Sequence, residues 1–269
     1  VSDWSSDVCS SDLSVIAHRP DLRFPLPAAF AARLTGRRIE RIDRRAKYLL
    51  FHLQDRLTLI AHLGMSGHFQ IADGQAPYRP HDHVCFVTDS GLSIRFNDAR
   101  RFGFMDLVEA DGLAAHPMLA TLGPEPLDRG FNGAFLQARL AGRTKALKAA
   151  LMDQDVVAGM GNIYASESLY RAGLSPLRAA GSIDVPRARR LVAAIRAVLR
   201  EAIDAGGSSL RNHQRPSGEL GCFQHTFAVY DRAGEACPDC RCRIAATGGI
   251  QRAIIAGRAT FFCPKRQRG

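Results

Sequence analysis

At 269 residues with 46% hydrophobic content, the chain is long enough for two buried cores, and 36 Lys and Arg against 26 Asp and Glu leave a formal charge of +10. No apolar run approaches the roughly 18 residues of a membrane span. The seven cysteines, four of them near the C-terminus (Cys237, Cys240, Cys242, Cys263), do not form a secreted disulfide framework. An Arg-rich basic chain points to nucleic acid, because the guanidinium fork meets phosphates and base edges bidentately. The expected setting is a reducing cytoplasm.

Residues 1–13, VSDWSSDVCSSDL, hold three Asp and no Lys or Arg, and read as low-complexity sequence foreign to the rest of the chain, a cloning remnant or a corrupted 5′ end. Residues 1–17 are therefore set apart as an anomalous segment. From Ile39 come three strand-like runs, RIDRRAKYLLFHLQ, LTLIAHLGMSGHFQI and HVCFVTDSGLSIRFND, the last with a hairpin turn at Asp89-Ser90-Gly91. They predict an antiparallel sandwich or barrel. LGPEPLDRG, residues 122–130, is a Pro- and Gly-rich break and the expected domain boundary. Helical patterns come next in FNGAFLQARLAG, TKALKAALMDQ and NIYASESLYRAG, with Asp153 or Asn162 as natural starts. Asp184 is expected to cap a longer helix with Pro186 in its first turn, Leu191, Ile195, Leu199 and Ile203 on one stripe, and Gly206-Gly207 at its end.

Four groups of residues could carry chemistry. Gly159-Met160-Gly161-Asn162 opens a helix with two glycines and an amide, a grip suited to phosphate. Arg44-Arg45-Ala46-Lys47-Tyr48 is placed on a strand, where alternation sends Arg45 and Lys47 to one face. Like charges there would lower the pKa of Lys47, although on spacing alone a solvated basic strand is the better reading. Met65 in His62-Leu63-Gly64-Met65-Ser66-Gly67, and Arg100 with Phe102 in NDARRFG, could be wedges entering a base stack, or core packing beside a surface arginine. His81-Asp82-His83 is a weak metal pair and an equally good phosphate contact.

In order and separation, RRAKYLL, HLGMSG, HDHV, RRFG, LGPEPL, LMDQ with GNIYASE, and GRATFFCP resemble the bacterial formamidopyrimidine-DNA glycosylases, from about His18 to Gln267; GNIYASE favours this branch over the related endonuclease VIII branch. The resemblance implies an α+β protein with an N-terminal β-sandwich domain (residues 18–123), a helix-two-turns-helix bundle (124–212), and a lesion loop with a C-terminal β-hairpin zinc-finger-like module (213–269), holding DNA in the cleft between domains. It implies excision of oxidised purines such as 8-oxoguanine and formamidopyrimidines by base flipping, followed by Schiff-base β,δ-elimination at the abasic site. Lys47 would transfer protons in β-elimination and Arg258 would serve the δ step. Met65, Arg100 and Phe102 would fill the emptied stack. His81, Arg143, Asn162 and Arg258 would grip phosphates, Lys148 would join the DNA contacts, and the loop from His213 to Cys222 would sense the lesion. The implied partner is double-stranded DNA with oxidised purines or abasic sites, met by a monomeric, cytoplasmic and nucleoid-associated protein without a membrane; the implied cofactor is one structural Zn2+.

Two departures bear on that picture. The family opens with an N-terminal proline, the nucleophilic amine, then a glutamate, whereas this sequence opens Val1-Ser2-Asp3, so impaired activity is expected of it as written. Structural zinc takes four ligands. Cys237 and Cys240 form a first pair, but the second reads Cys263-Pro264-Lys265-Arg266, with arginine where the family has its fourth cysteine and Cys242 as a possible substitute. Two other readings remain open: a non-catalytic damaged-DNA-binding protein, and an RNA-associated basic protein with a zinc ribbon.

Overall fold

The computed structural model describes residues 12–208, 221–240 and 243–268. They fall into two compact units, one formed by the described parts of Val1–Ala120 and Ser208–Gly221 and the other by Thr121–Gly207 with the described part of Cys222–Gly269.

The first unit is a β-sandwich. Its strands are β1 (Leu13–Ala17), β2 (Ile39–Arg45), β3 (Tyr48–Leu53), β4 (Leu57–His62), β5 (His68–Asp73), β6 (Asp82–Thr88), β7 (Leu92–Asn97) and β8 (Phe104–Glu109), with a short helix α1 (Phe30–Leu34) after β1. Two four-stranded antiparallel sheets, ordered β1-β6-β7-β5 and β2-β3-β4-β8, face each other. Period-2 alternation explains the core. Leu57, Leu59 and Ala61 of β4 point inward against Val84, Phe86, Ile94 and Phe96, while Ile60 faces the other way beside Leu50 and Phe104.

Sequence and structure part at two places here. Leu13–Ala17, set apart with the anomalous segment, form β1, pair with β6 and bury Leu13 and Val15 in the core. The run from Ile39 is not one strand but two, β2 and β3, turning at Ala46-Lys47, where Ala46 takes a φ of 53°. Lys47 therefore sits at a hairpin tip, and strand alternation does not govern it. The turn at Asp89–Gly91 does join β6 to β7.

The second unit packs α2 (Gly133–Leu140), α3 (Leu147–Met152), α4 (Asn162–Ala172) and α5 (Val185–Asp204) around Leu136, Leu140, Leu151, Val157, Leu169, Leu191 and Ile195. Asp184 caps α5 by accepting the Arg187 N–H at 2.8 Å. The buried stripe of α5 is Ala188, Leu191, Ile195, Val198 and Ala202, whereas Ile203 is 63% exposed. A strict every-fourth-residue series overshoots the helical turn by about 40° per step, so Leu199 and Ile203 rotate out of the face that Leu191 begins. Asp153 closes α3 and starts no helix; Asn162 is the first residue of α4, after Gly161. A short helix α6 (Ile244–Thr247) precedes the hairpin of β9 (Gln251–Ile255) and β10 (Arg258–Phe262), which packs on α4 through Tyr170, Val229, Ile250 and Phe261. No helix among the described residues is long and apolar enough to cross a membrane.

Candidate nucleic-acid interface

Strand register gathers the expected residues of the first unit at one end of the sandwich. Tyr48 pairs with His62, and His62 with Phe104, in one sheet; His68 and Asp82 both pair with Asn97 in the other. The two crossovers between sheets, β4 to β5 and β7 to β8, therefore run side by side, with the Ala46-Lys47 turn and His81 at the same end. Met65 rides on the first crossover and is 70% exposed; Phe102 rides on the second and is 41% exposed, with the Arg100 guanidinium 4.6 Å from its ring centre.

These crossovers are locked together by a residue that sequence reading left without a role. Asp98 is fully buried, and its carboxylate accepts from the Ser66 hydroxyl at 2.5 Å and the Gly103 N–H at 2.8 Å. Its backbone carbonyl takes the His83 ring at 2.9 Å, and Ser66 in turn accepts the Arg100 N–H at 3.2 Å. A Cβ on Gly64, at φ +66°, would lie 2.4 Å from the Phe102 carbonyl carbon, so the two backbones touch there. Exposed apolar side chains thus stand on rigid, cross-braced loops.

Beside them lies a cavity of about 330 Å³ lined by Arg44, Lys47, Leu49, His62, Leu63, Gly64, Met65 and Gly67. His62 accepts the Gly64 N–H at Nδ1 (2.9 Å) and stacks on Phe104. Burial lowers its pKa, and the charges of Lys47 and Arg23 lower it further, so its ring is neutral at the turn that carries Met65. His81 is exposed just before β6, whereas His83 is buried with its ring engaged by the Asp98 carbonyl.

In the second unit, Asn162 and Arg258 come together through Lys148. The Lys148 ammonium is fully buried and donates to Asn162 Oδ1 (2.6 Å), the Ala259 carbonyl (3.0 Å) and the Thr260 hydroxyl (2.7 Å). All three N–H directions are taken, so Lys148 cannot itself touch a phosphate; it fixes Asn162 against the hairpin instead. Burial, then the charge of Arg258, pulls its pKa down to about 8. Asn162 also donates to the Tyr230 hydroxyl (3.2 Å) and to Ala259 (3.1 Å). Arg258 is exposed beside the two-residue turn Ala256-Gly257, the hairpin position expected of it. Gln154 braces the loop before Asn162, accepting the Gly159 N–H and donating to Met152 and Met160. Arg143, expected on phosphate, is half-buried and paired with Asp153 (2.9 Å) and Asp155 (2.8 Å).

Cys237, Cys240 and Cys263 form a cluster with their sulfurs within 4.8 Å of one another, and it could hold zinc. Burial raises the Cys237 pKa, but hydrogen bonds from the Tyr170 hydroxyl and from backbone N–H groups outweigh it and bring it down to about 7. Closed structural zinc takes four donors, and the described residues offer three. The Arg266 guanidinium has no lone pair to give, and it stacks on Tyr170 at 4.8 Å and reaches Asp239 at 3.3 Å. Cys242 and most of the His213–Cys222 loop lie outside the described residues.

Residues 10–105 match the formamidopyrimidine-DNA glycosylase N-terminal domain, and residues 122–214 the formamidopyrimidine-DNA glycosylase H2TH domain. The formamidopyrimidine-DNA glycosylase of Rhodospirillum rubrum is 55% identical over 256 residues, covering 94% of this chain and 91% of that protein. Among solved structures, MutM (Fpg) of Thermus thermophilus superimposes with a TM-score of 0.85 at 40% identity, covering 97% of this chain and 93% of that one. The Lactococcus lactis Fpg in complex with abasic-site DNA gives 0.89 at 31% identity, covering 99% and 96%. Matched in both halves by domain models and along nearly its full length by these relatives, the chain belongs to the formamidopyrimidine-DNA glycosylase family.

Proposed function

We propose that this chain is a DNA repair glycosylase and abasic-site lyase acting on oxidised purines such as 8-oxoguanine and formamidopyrimidines in duplex DNA. The observation that carries the reading is the convergence of Lys47, Met65, His81, Arg100 and Phe102 at one end of the sandwich, on crossovers braced by Asp98. Exposed apolar side chains on a rigid base are suited to fill the gap left by an everted base, where a flexible loop would lose binding energy to ordering. His81, the backbone N–H at Asn162, the first residue of α4, and Arg258 hold flanking phosphates; the Asn162 amide, engaged by Lys148, Tyr230 and Ala259, fixes that helix start. Lys47 moves protons in β-elimination, and Arg258 serves the δ step. Lys148 acts at one remove, by positioning Asn162. The protein works as a monomer, and no step of the reading passes through a metal.

Duplexes with 8-oxoguanine, an abasic site or no lesion test it. A polypeptide of this sequence, which has no proline before Pro20, is expected to bind the damaged duplexes at least about tenfold more tightly than the intact one. It is expected to give little borohydride-trapped adduct, and a version starting Pro-Glu is expected to give the adduct, because a secondary amine attacking C1′ passes through a Schiff base. Equal affinity for damaged and intact duplex would sink the reading. Selective binding with no adduct from the Pro-Glu version would leave a damaged-DNA-binding protein in its place.

A further inference from the structure

We propose that the C-terminal hairpin of this chain is held on α4 by a metal-independent clasp of Tyr170, Arg266 and Asp239, seconded by Glu167 and Gln267, so that its fold survives without an ion at Cys237, Cys240 and Cys263. The inference begins with the arginine that stands where a fourth thiol would close a zinc site. Its side chain is not loose. The guanidinium covers the Tyr170 ring at 4.8 Å, donates from Nε to the Tyr170 carbonyl at 3.2 Å and pairs with Asp239 at 3.3 Å. Its backbone N–H points at Cys263 Sγ, 3.4 Å away. The buried Tyr170 hydroxyl lies 3.1 Å from Cys237 Sγ. One pair of side chains thus reaches, from α4 and from the chain's end, the segments that a metal would otherwise tie together.

Two buried polar residues complete the attachment. The Glu167 carboxylate, on α4, accepts the backbone N–H groups of Ala228, Val229 and Tyr230 at 3.0, 3.0 and 2.8 Å. Three backbone N–H groups in a row, gathered on one carboxyl group, fix the bend through which the chain enters the module. Gln267 accepts the Cys263 N–H at 2.8 Å and donates to the Leu174 carbonyl at 3.0 Å, pinning the chain's last turn to the end of α4. The module also has apolar support that small zinc-dependent units lack. Tyr170, Val229, Ile250 and Phe261 bury together, with Tyr230 and Ala259 packed against them. A metal supplies folding free energy where a unit has little core of its own, and here α4 lends the hairpin its core.

Hydrogen exchange on the full chain tests this without reference to catalysis. Stripped by a strong chelator and checked by elemental analysis, the protein is expected to exchange its 251–262 amides within about twofold of the zinc-saturated sample. In the stripped protein, Arg266→Ala is expected to speed that exchange by about tenfold or more. Tyr170→Phe, which keeps the ring and the stacking, is expected to speed it by about threefold. Arg266→Cys, which trades the clasp for a thiol, is expected to make the same amides chelator-sensitive. Chelation alone opening the hairpin of the unaltered chain would overturn the proposal, as would protection unchanged in Arg266→Ala. So would loss of both zinc and protection in Cys242→Ser, which would make Cys242 the missing ligand.

Discussion

Single side chains in this protein act mostly by holding others, and Asp98 is the strongest case. Replacing it by Ala strands the Ser66 hydroxyl and the Gly103 N–H in a buried place, which costs about 2–4 kcal/mol in urea unfolding. Asp98→Asn is milder, because an amide can accept from Gly103 and donate to the Ser66 oxygen. Met65→Ala is the converse: with 70% of the residue exposed, stability moves by no more than about 0.5 kcal/mol, while selectivity for a lesion-bearing duplex falls. Lys148 makes a prediction in pH. Its pKa of about 8 in the folded chain lies below the ordinary lysine value of 10.5, so between the two the unfolded chain holds the extra proton. Stability from this group is complete above pH 10.5 and is lost as pH falls through 8. Urea titrations across that window should show the rise in the parent protein and a flatter profile in Lys148→Met; parallel profiles would remove the buried ammonium from the account.

At the scale of elements, the sequence carried what local physics can express. The Asp89–Gly91 hairpin and the capped, proline-started helix α5 were legible because turn residues and caps act within a few positions. What it could not express was the partner. The β2–β3 turn hid inside a continuous run because Ala46-Lys47 has no glycine or asparagine to mark a left-handed residue. β1 hid because its apolar run is only five residues long and adjoins a segment foreign to the rest of the chain, and only pairing with β6 makes it a strand. Glu167 and Asp98 gave no sign beyond being acids in or beside apolar stretches, since what satisfies them lies 61 residues or more away in one case and across a sheet crossover in the other. The register of α5 yields a test: Leu191→Ala should cost about 2–5 kcal/mol by thermal or urea unfolding, and Ile203→Ala within about 0.5 kcal/mol. Comparable losses would restore the stripe that the every-fourth-residue pattern suggests.

Across the whole molecule, motifs in their order named the family that the domain models and relatives show. For single basic residues the motifs say less, as Arg143 and Lys148 illustrate. Both are basic and both fall in the right region, yet one is taken up by Asp153 and Asp155 and the other by three internal acceptors. Net charge alone cannot tell such spent cations from those that face a ligand, and the distinction is measurable. Each phosphate contact contributes about 0.9 to the slope of log affinity against log salt. Arg258, exposed at the hairpin tip, should reduce that slope by about this amount when changed to Ala. Arg56 is also exposed, but it sits in the turn between β3 and β4, at the opposite end of β3 from Lys47. Arg56→Ala removes the same unit of charge from the +10 total and should leave the slope unchanged. Equal changes in the two variants would mean that DNA responds to the diffuse field of a basic protein, and the localised grip proposed for Asn162 and Arg258 would fall.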